Sequence, residues 1–127
     1  MLLRIWDVTF TVANLERAVA FYENVLGLSK KYYFADDYAG FDCGGVEIGL
    51  SPGIPEQSKG AAPCVNFLVK DIDDSYRILH ERGVHFIKEP HDTAWGGRIA
   101  LFVDSDGNVL QITQIDWRKY FTVCARG

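Results

Sequence analysis

Imidazole titrates near neutral pH, and a thiolate is both a nucleophile and a metal ligand, so histidine and cysteine are the first residue types to place. The chain has three of each. Cys43, Cys64 and Cys124 form no Cys-x-x-Cys pair and no Cys-His cluster, so no structural zinc motif is present. Their odd number, without paired spacing, argues against a disulfide framework and for a reducing compartment. His80 sits beside Leu79 on a predicted helix, and His85 alternates with Val84 and Phe86 on a predicted strand; neither has a second ligand one helical turn away. His91 falls in the connection EPHDTAWGG, ahead of Trp95, where a general acid or base could operate.

The elements that must position these residues come in two copies. Residues 5–28, IWDVTFTVANLERAVAFYENVLGL, open with alternating β-branched and aromatic residues over Ile5 to Val12, the pattern of a half-buried strand. A helix follows, with Asn14 as its cap, Leu15, Ala18, Val19, Tyr22, Val25 and Leu26 as its apolar stripe, and Gly27 as its stop. Residues 62–84, APCVNFLVKDIDDSYRILHERGV, repeat the plan: a strand ending at Val69, a cap at Asp71, a stripe of Ile72, Tyr76 and Leu79, and a stop at Gly83. Val12 falls on Val69 at a shift of 57 residues and Gly27 on Gly83 at a shift of 56, so cap, stripe and stop agree in one register.

Each copy continues with three more strands. In the first these are Leu28 to Phe34, Tyr38 to Cys43 and Val46 to Leu50, with a turn at Asp36-Asp37 and the pair Gly44-Gly45 suited to a two-residue hairpin. In the second they are Val84 to Lys88, Arg98 to Val103 and Asn108 to Gln114, the first two joined by the long connection through His91. The expected fold class is therefore α+β, with two βαβββ modules (about residues 4–50 and 63–114) in one domain spanning residues 1–127. The two sheets are expected to curl around a central cup, with the helices outside. Residues 51–62, SPGIPEQSKGAA, read as a linker, and residues 115–127 as a tail in which Trp117, Tyr120 and Phe121 pack one helical turn onto the body or onto a partner subunit.

Composition sets the remaining bounds. A chain of 127 residues with 48% hydrophobic and 13% aromatic content can bury a sizeable core. A net charge of -4 and a pI near 5.3, with only Lys30-Lys31 and Arg118-Lys119 as adjacent basic pairs, argue against nucleic acid. The opening MLLRIWDVTF has no basic region before an apolar run and is interrupted by Arg4 and Asp7. Neither a signal peptide nor a membrane span is expected, and the chain reads as cytoplasmic.

The stretch TVANLERAVAFYENVLGL, with its Phe-Tyr and Leu-Gly, and the stretch WGGRIALFVDSDGNVLQI, with Trp-Gly, Arg and an Asp-x-Asp-Gly-Asn turn, resemble the vicinal oxygen chelate superfamily. That group includes glyoxalase I, the bleomycin and fosfomycin resistance proteins and the extradiol dioxygenases, and the resemblance covers residues 4–114. It implies the cup, a small-molecule ligand and a homodimer. In the enzymes of the group it also implies a divalent metal held by the first and last strands of each module. Carried onto this chain, the first-strand positions fall on Asp7 and Cys64 and the final-strand position on Gln111; the first module's last strand leaves Glu47, Ile48 and Gly49 open. None is histidine, and this mixture of hard and soft donors suits no common catalytic ion of the group, so no metal cofactor is expected. If an ion is present, it is expected near Asp7, Glu47, Cys64 and Gln111.

Alternation then nominates the residues lining the cup. Asp7 continues to Thr9 and Thr11, Cys64 to Asn66 and Leu68, and Gln111 to Val109 and Thr113, while Arg98, Ala100 and Phe102 come from the seventh strand and Trp95 serves as a lid. Three readings follow. The favoured one is a binding protein of the bleomycin-resistance kind, holding a small organic molecule with Asp7, Thr9, Cys64, Asn66, Trp95, Arg98, Phe102 and Gln111 and without a metal. The alternatives are a metal-dependent lyase, isomerase, thiol transferase or dioxygenase using Asp7 and Glu47, and a thiol site at Cys64.

Overall fold

The computed structural model describes residue 3, residues 5–53 and residues 65–124, which form two compact units. One holds the first module together with the turn Ser105–Gly107; the other holds the second module and the C-terminal helix. The linker beyond residue 53 and Cys64 lie outside the described residues. Among the described residues, no helix is long and apolar enough to cross a membrane.

The first unit begins with β1 (Asp7–Val12) and α1 (Leu15–Ala20), whose N-terminus is closed by Asn14 Oδ1 accepting from the Arg17 amide at 2.9 Å. The helix runs on into a π-helical turn over Phe21–Val25, closed by Leu26 N donating to Phe21 O, and Gly27 at φ 74° ends it. Then come β2 (Ser29–Phe34), β3 (Tyr38–Cys43) and β4 (Val46–Pro52). Gly44 and Gly45 take φ of 62° and 91°, the positive pair that a tight hairpin needs. The sheet order is β1-β4-β3-β2, with β1 parallel to β4 and the other pairs antiparallel. Strand alternation sends Phe10, Val12, Phe41, Ile48 and Leu50 to the helix side, where they are buried; Tyr22 sits among them, its ring 6.3 Å from Phe10 and 6.0 Å from Phe41.

The second unit repeats this order as β5 (Val65–Leu68), α2 (Ile72–Glu81), β6 (His85–Asp92), β7 (Gly97–Val103) and β8 (Val109–Ile115), in the sheet order β5-β8-β7-β6 with β5 parallel to β8. Asp71 caps α2 by accepting from the Asp74 amide, and Gly83 at φ 86° ends it. The helix side buries Ile72, Leu79, Ala100, Phe102, Leu110 and Ile112, with the Tyr76, Phe86 and Phe102 rings in sequence at 4.5 and 5.4 Å.

Two elements differ from expectation. The stretch through His91 is not a long connection, because β6 runs on to Asp92, pairing His91 with Ile99 and Asp92 with Arg98. Pro90 has no amide to give to a ladder, and the register slip between Lys88 and His91 takes it up as an irregularity instead of ending the strand. The remaining turn is short, with Thr93 N donating to Gly97 O at 2.8 Å and Gly97 N to Thr93 Oγ1 at 3.0 Å. The C-terminal segment is a helix, α3 (Trp117–Cys124), longer than the expected single turn, and it packs against Gly96, where a Cβ would stand 2.8 Å from the Tyr120 amide nitrogen.

Candidate functional site

The register resolves the open position on β4: Asp7 faces Glu47 and Thr9 faces Gly49. These residues, with Tyr32 and Tyr38, project from the face of the first sheet that the helix does not cover. Glu47 is the centre of this face and only 6% exposed. Its Oε1 accepts from the Tyr32 hydroxyl at 2.7 Å and from Lys31 Nζ at 3.0 Å, and its Oε2 accepts from the Tyr38 hydroxyl at 2.9 Å. Sequence neighbours on a regular strand point to opposite faces, yet Lys31 and Tyr32 reach the same carboxylate because β2 carries a register shift between Lys30 and Tyr32.

Two glycines let the rings close in. A Cβ at Gly40 would lie 2.8 Å from Tyr32 Cζ, and one at Gly49 would collide with the Tyr38 hydroxyl and stand 2.8 Å from Thr9 Oγ1. The two phenol rings stack at 5.9 Å. The bond from Tyr32, helped by Lys31 and Tyr38 and opposed by burial, holds the Glu47 carboxyl below the usual carboxylate range. The same bond pushes the Tyr32 phenol well up, and burial first, then the Glu47 bond, raises Tyr38. At neutral pH the cluster is one carboxylate, one ammonium and two neutral phenols. Asp7 stands exposed at the rim, accepting from Thr9 Oγ1 at 3.2 Å.

On the corresponding face of the second sheet the β5–β8 pair is neutral. Gln111 Nε2 donates to Thr113 Oγ1 at 3.0 Å, and the Thr113 hydroxyl donates to Asn66 Oδ1 at 2.6 Å, a relay across the β5–β8 pair in which Asn66 faces Gln111. A cavity of about 370 Å³ opens beside it, lined by Asn66, Leu68, Trp95, Thr113, Ile115, Trp117 and Tyr120.

The nominated residues thus separate into groups. Asp7 and Thr9 meet around the Glu47 cluster, while Asn66 and Trp95 meet at the cavity and Gln111 joins it through Thr113. Arg98 and Phe102 stand on the opposite, helix-facing side. Phe102 is 1% exposed and packed on Phe86, and Arg98 pairs with Asp73 of α2 at 3.0 Å and with Asp92 at 3.3 Å. The cause is a one-residue difference in β7, which turns Ile99, Leu101 and Val103 to the other face. Trp95 sits in the closed β6–β7 turn with its ring over Gly97 and edge-on to Tyr120. His91 lies on β6, its Nδ1 2.8 Å from the Glu89 carbonyl. Cys64 is outside the described residues, and the described thiol of Cys43 is pushed up by burial and then by Asp42, away from thiolate character. Lys31, Tyr32, Tyr38, Trp117 and Tyr120 escaped the sequence reading as site residues; the pair of glycines two residues from Tyr38 and Glu47 is the signal that could have found the first cluster.

A divalent ion does not fit these donors. Both Glu47 oxygens are engaged, an ammonium stands at 3.0 Å where an ion would approach, and Gln111 is neutral. Taking Val12 and Val69 as equivalent makes Gly49, not Glu47, the counterpart of Gln111, so the pseudo-symmetric position in the first module offers no side chain. Among the described residues, no group of three histidine, cysteine or acidic side chains converges.

Comparison with known proteins supports the fold. The profile of the Glyoxalase/Bleomycin resistance protein/Dioxygenase superfamily matches residues 4–112. The Bacillus subtilis protein YraH is 32% identical over 124 residues, covering 87% of this chain and 97% of its own. A crystal structure of a glyoxalase/bleomycin resistance protein/dioxygenase superfamily member from Sphaerobacter thermophilus superposes with a TM-score of 0.76 at 28% identity, covering 90% of this chain and 98% of that one. The fosfomycin resistance protein FosX of Listeria monocytogenes, solved with Mn(II) and 1S,2S-dihydroxypropylphosphonic acid, superposes with a TM-score of 0.82 at 18% identity, covering 98% and 99%; at that identity the likeness is one of fold.

Proposed function

Because the chain belongs to the glyoxalase/bleomycin resistance protein/dioxygenase superfamily, we propose that it binds a small organic molecule on the sheet faces its helices leave uncovered, without a divalent metal. The observation that carries this reading is the saturation of Glu47 by Lys31, Tyr32 and Tyr38. A metal-dependent lyase or dioxygenase would need Asp7 and Glu47 to turn toward one ion, taking from Lys31, Tyr32 and Tyr38 the carboxylate to which all three donate. Asp7, Thr9, Asn66, Trp95 and Gln111 remain the residues proposed to meet or orient the ligand, with Thr113 as the hinge of the relay. The working form is proposed to be a cytoplasmic homodimer, which light scattering checks as twice the chain mass of 14.3 kDa.

The experiment is metal analysis of protein purified without chelator, followed by a small-molecule screen read as melting temperature. The expected result is no stoichiometric ion and an upward shift with at least one organic compound; a ligand at a hundredfold excess over its dissociation constant adds about 2.7 kcal/mol. A stoichiometric divalent ion whose removal by EDTA lowers the melting temperature would overturn the proposal.

A further inference from the structure

α3 leaves large apolar rings uncovered, with Trp117 49% and Phe121 61% exposed. Tyr120 organises them, meeting Trp95 edge to face at 6.3 Å and Trp117 at 5.8 Å, with interplanar angles of 76° and 81°. Both indoles are therefore braced against one phenol ring, and both line the 370 Å³ cavity beside β5 and β8. Gly96 and Gly97 make the arrangement possible: the first, at φ 94°, lets α3 approach the turn, and the second leaves room for the Trp95 ring.

The polar side of the cavity has a defined direction. A threonine hydroxyl has a single proton, and Thr113 gives it to Asn66 Oδ1 while accepting from Gln111 Nε2. The carboxamide oxygen of Asn66 accepts this proton, and its amide hydrogens are the donors that Asn66, a residue of the cavity wall, has left to offer. Among the described residues lining the space there is no acidic or basic side chain other than the Tyr120 phenol, and Lys70 lines the adjoining space that shares Leu68, Ile115 and Trp117, so a neutral ligand fits this lining better than an anion does. The volume lies at the small end of organic-ligand pockets.

From this geometry, and resting on the reading of the chain as a small-molecule binder, we infer that the second module binds a neutral, planar molecule of one or two fused aromatic rings between the indoles and the sheet, with an acceptor atom on the ligand taking a hydrogen bond from Asn66. Aromatic stacking holds the ring system, and the Gln111–Thr113–Asn66 relay fixes its orientation.

The test is calorimetric titration of the full chain with four probes: coumarin (planar, with a carbonyl acceptor), naphthalene (planar, without one), propylphosphonate (anionic, acyclic) and tetramethylammonium (cationic). Coumarin is expected to bind one per chain, and naphthalene several-fold more weakly. Trp95→Ala and Trp117→Ala are expected to weaken coumarin at least about tenfold, whereas Trp117→Phe, which keeps a ring, stays within about threefold. Asn66→Asp should bring coumarin down to the affinity of naphthalene and leave naphthalene unchanged, a pattern that loss of folding would not give. Absence of coumarin binding, or wild-type coumarin affinity in well-folded Trp95→Ala and Trp117→Ala variants, would overturn the inference. If propylphosphonate or tetramethylammonium binds and coumarin does not, this inference fails while the binding reading stands. If no probe or screened compound binds and a stoichiometric ion is found, both fail.

Discussion

The two modules share an order of elements and a sheet order, yet the faces their helices leave uncovered have opposite chemistry. The first gathers a carboxylate, an ammonium and two phenols into a cluster that satisfies itself; the β5–β8 pair of the second carries amides and a hydroxyl joined in a neutral relay, with a cavity beside it. Equivalent backbone positions explain the contrast. Gly49 stands where Gln111 stands in the other module, and the space its missing side chain leaves is taken by Tyr38. A partly buried charge demands full pairing, so the first module's face becomes internally committed, whereas a neutral relay can end in an unused donor. The two modules thus carry different side-chain chemistry on one plan, and the cavity lies beside the second.

Substitutions can break that contrast. The largest effect expected is in the core beneath the open face: Phe102→Ala should cost about 3–5 kcal/mol in denaturant unfolding, with ligand affinity unchanged in the protein that remains folded, because the ring faces α2. Next, Gly49→Val should cost about 1–3 kcal/mol by driving Tyr38 and Thr9 apart, measurable as a lowered midpoint at constant slope.

The pH dependence sharpens the same contrast. Glu47 ionises below its ordinary value of 4.5 in the folded chain, so its contribution is present above that value and is lost as pH falls through the lower, folded value. Tyr32 is raised above its ordinary 10.0, so its contribution is present below pH 10.0 and is lost as pH rises through the folded value. Melting temperature against pH should therefore fall at both ends, and Glu47→Gln should flatten both limbs, whereas Gln111→Leu should leave them alone. The smallest effect expected is from Arg98→Ala. Its partners Asp73 and Asp92 are exposed, so the melting temperature should stay close to wild type and ligand affinity should not move.

Much of this fold is legible in the sequence because several local signals agree. Asn14 and Asp71 cap the helices, Gly27 and Gly83 stop them, and Gly44-Gly45 turns the hairpin, each supplying a geometry that few other residues supply. Alternation also placed Asp7, Thr9, Asn66, Gln111 and Thr113 on the correct faces. It failed where a strand is irregular or buried on both sides. Pro90 hides the second half of β6, the bulge at Lys31 brings two neighbours to one face, and after Arg98 the apolar run of β7 gives no further polar residue to mark which side is which, so alternation puts Arg98 and Phe102 one residue out of phase. The Glu47 cluster depends on contacts between residues 15 and 16 positions apart, and only the β2-β3-β4 register brings them together.

The most direct measurement of the central claim is the melting temperature of wild type and Glu47→Gln, each with EDTA and with Mn(II) or Zn(II). If Glu47 is the internal partner of Lys31, Tyr32 and Tyr38, the substitution lowers the melting temperature by the same amount with chelator and with metal, and neither ion moves the wild type. A wild type stabilised by either ion, with that gain lost in Glu47→Gln, would contradict the account and make the first module a metal site.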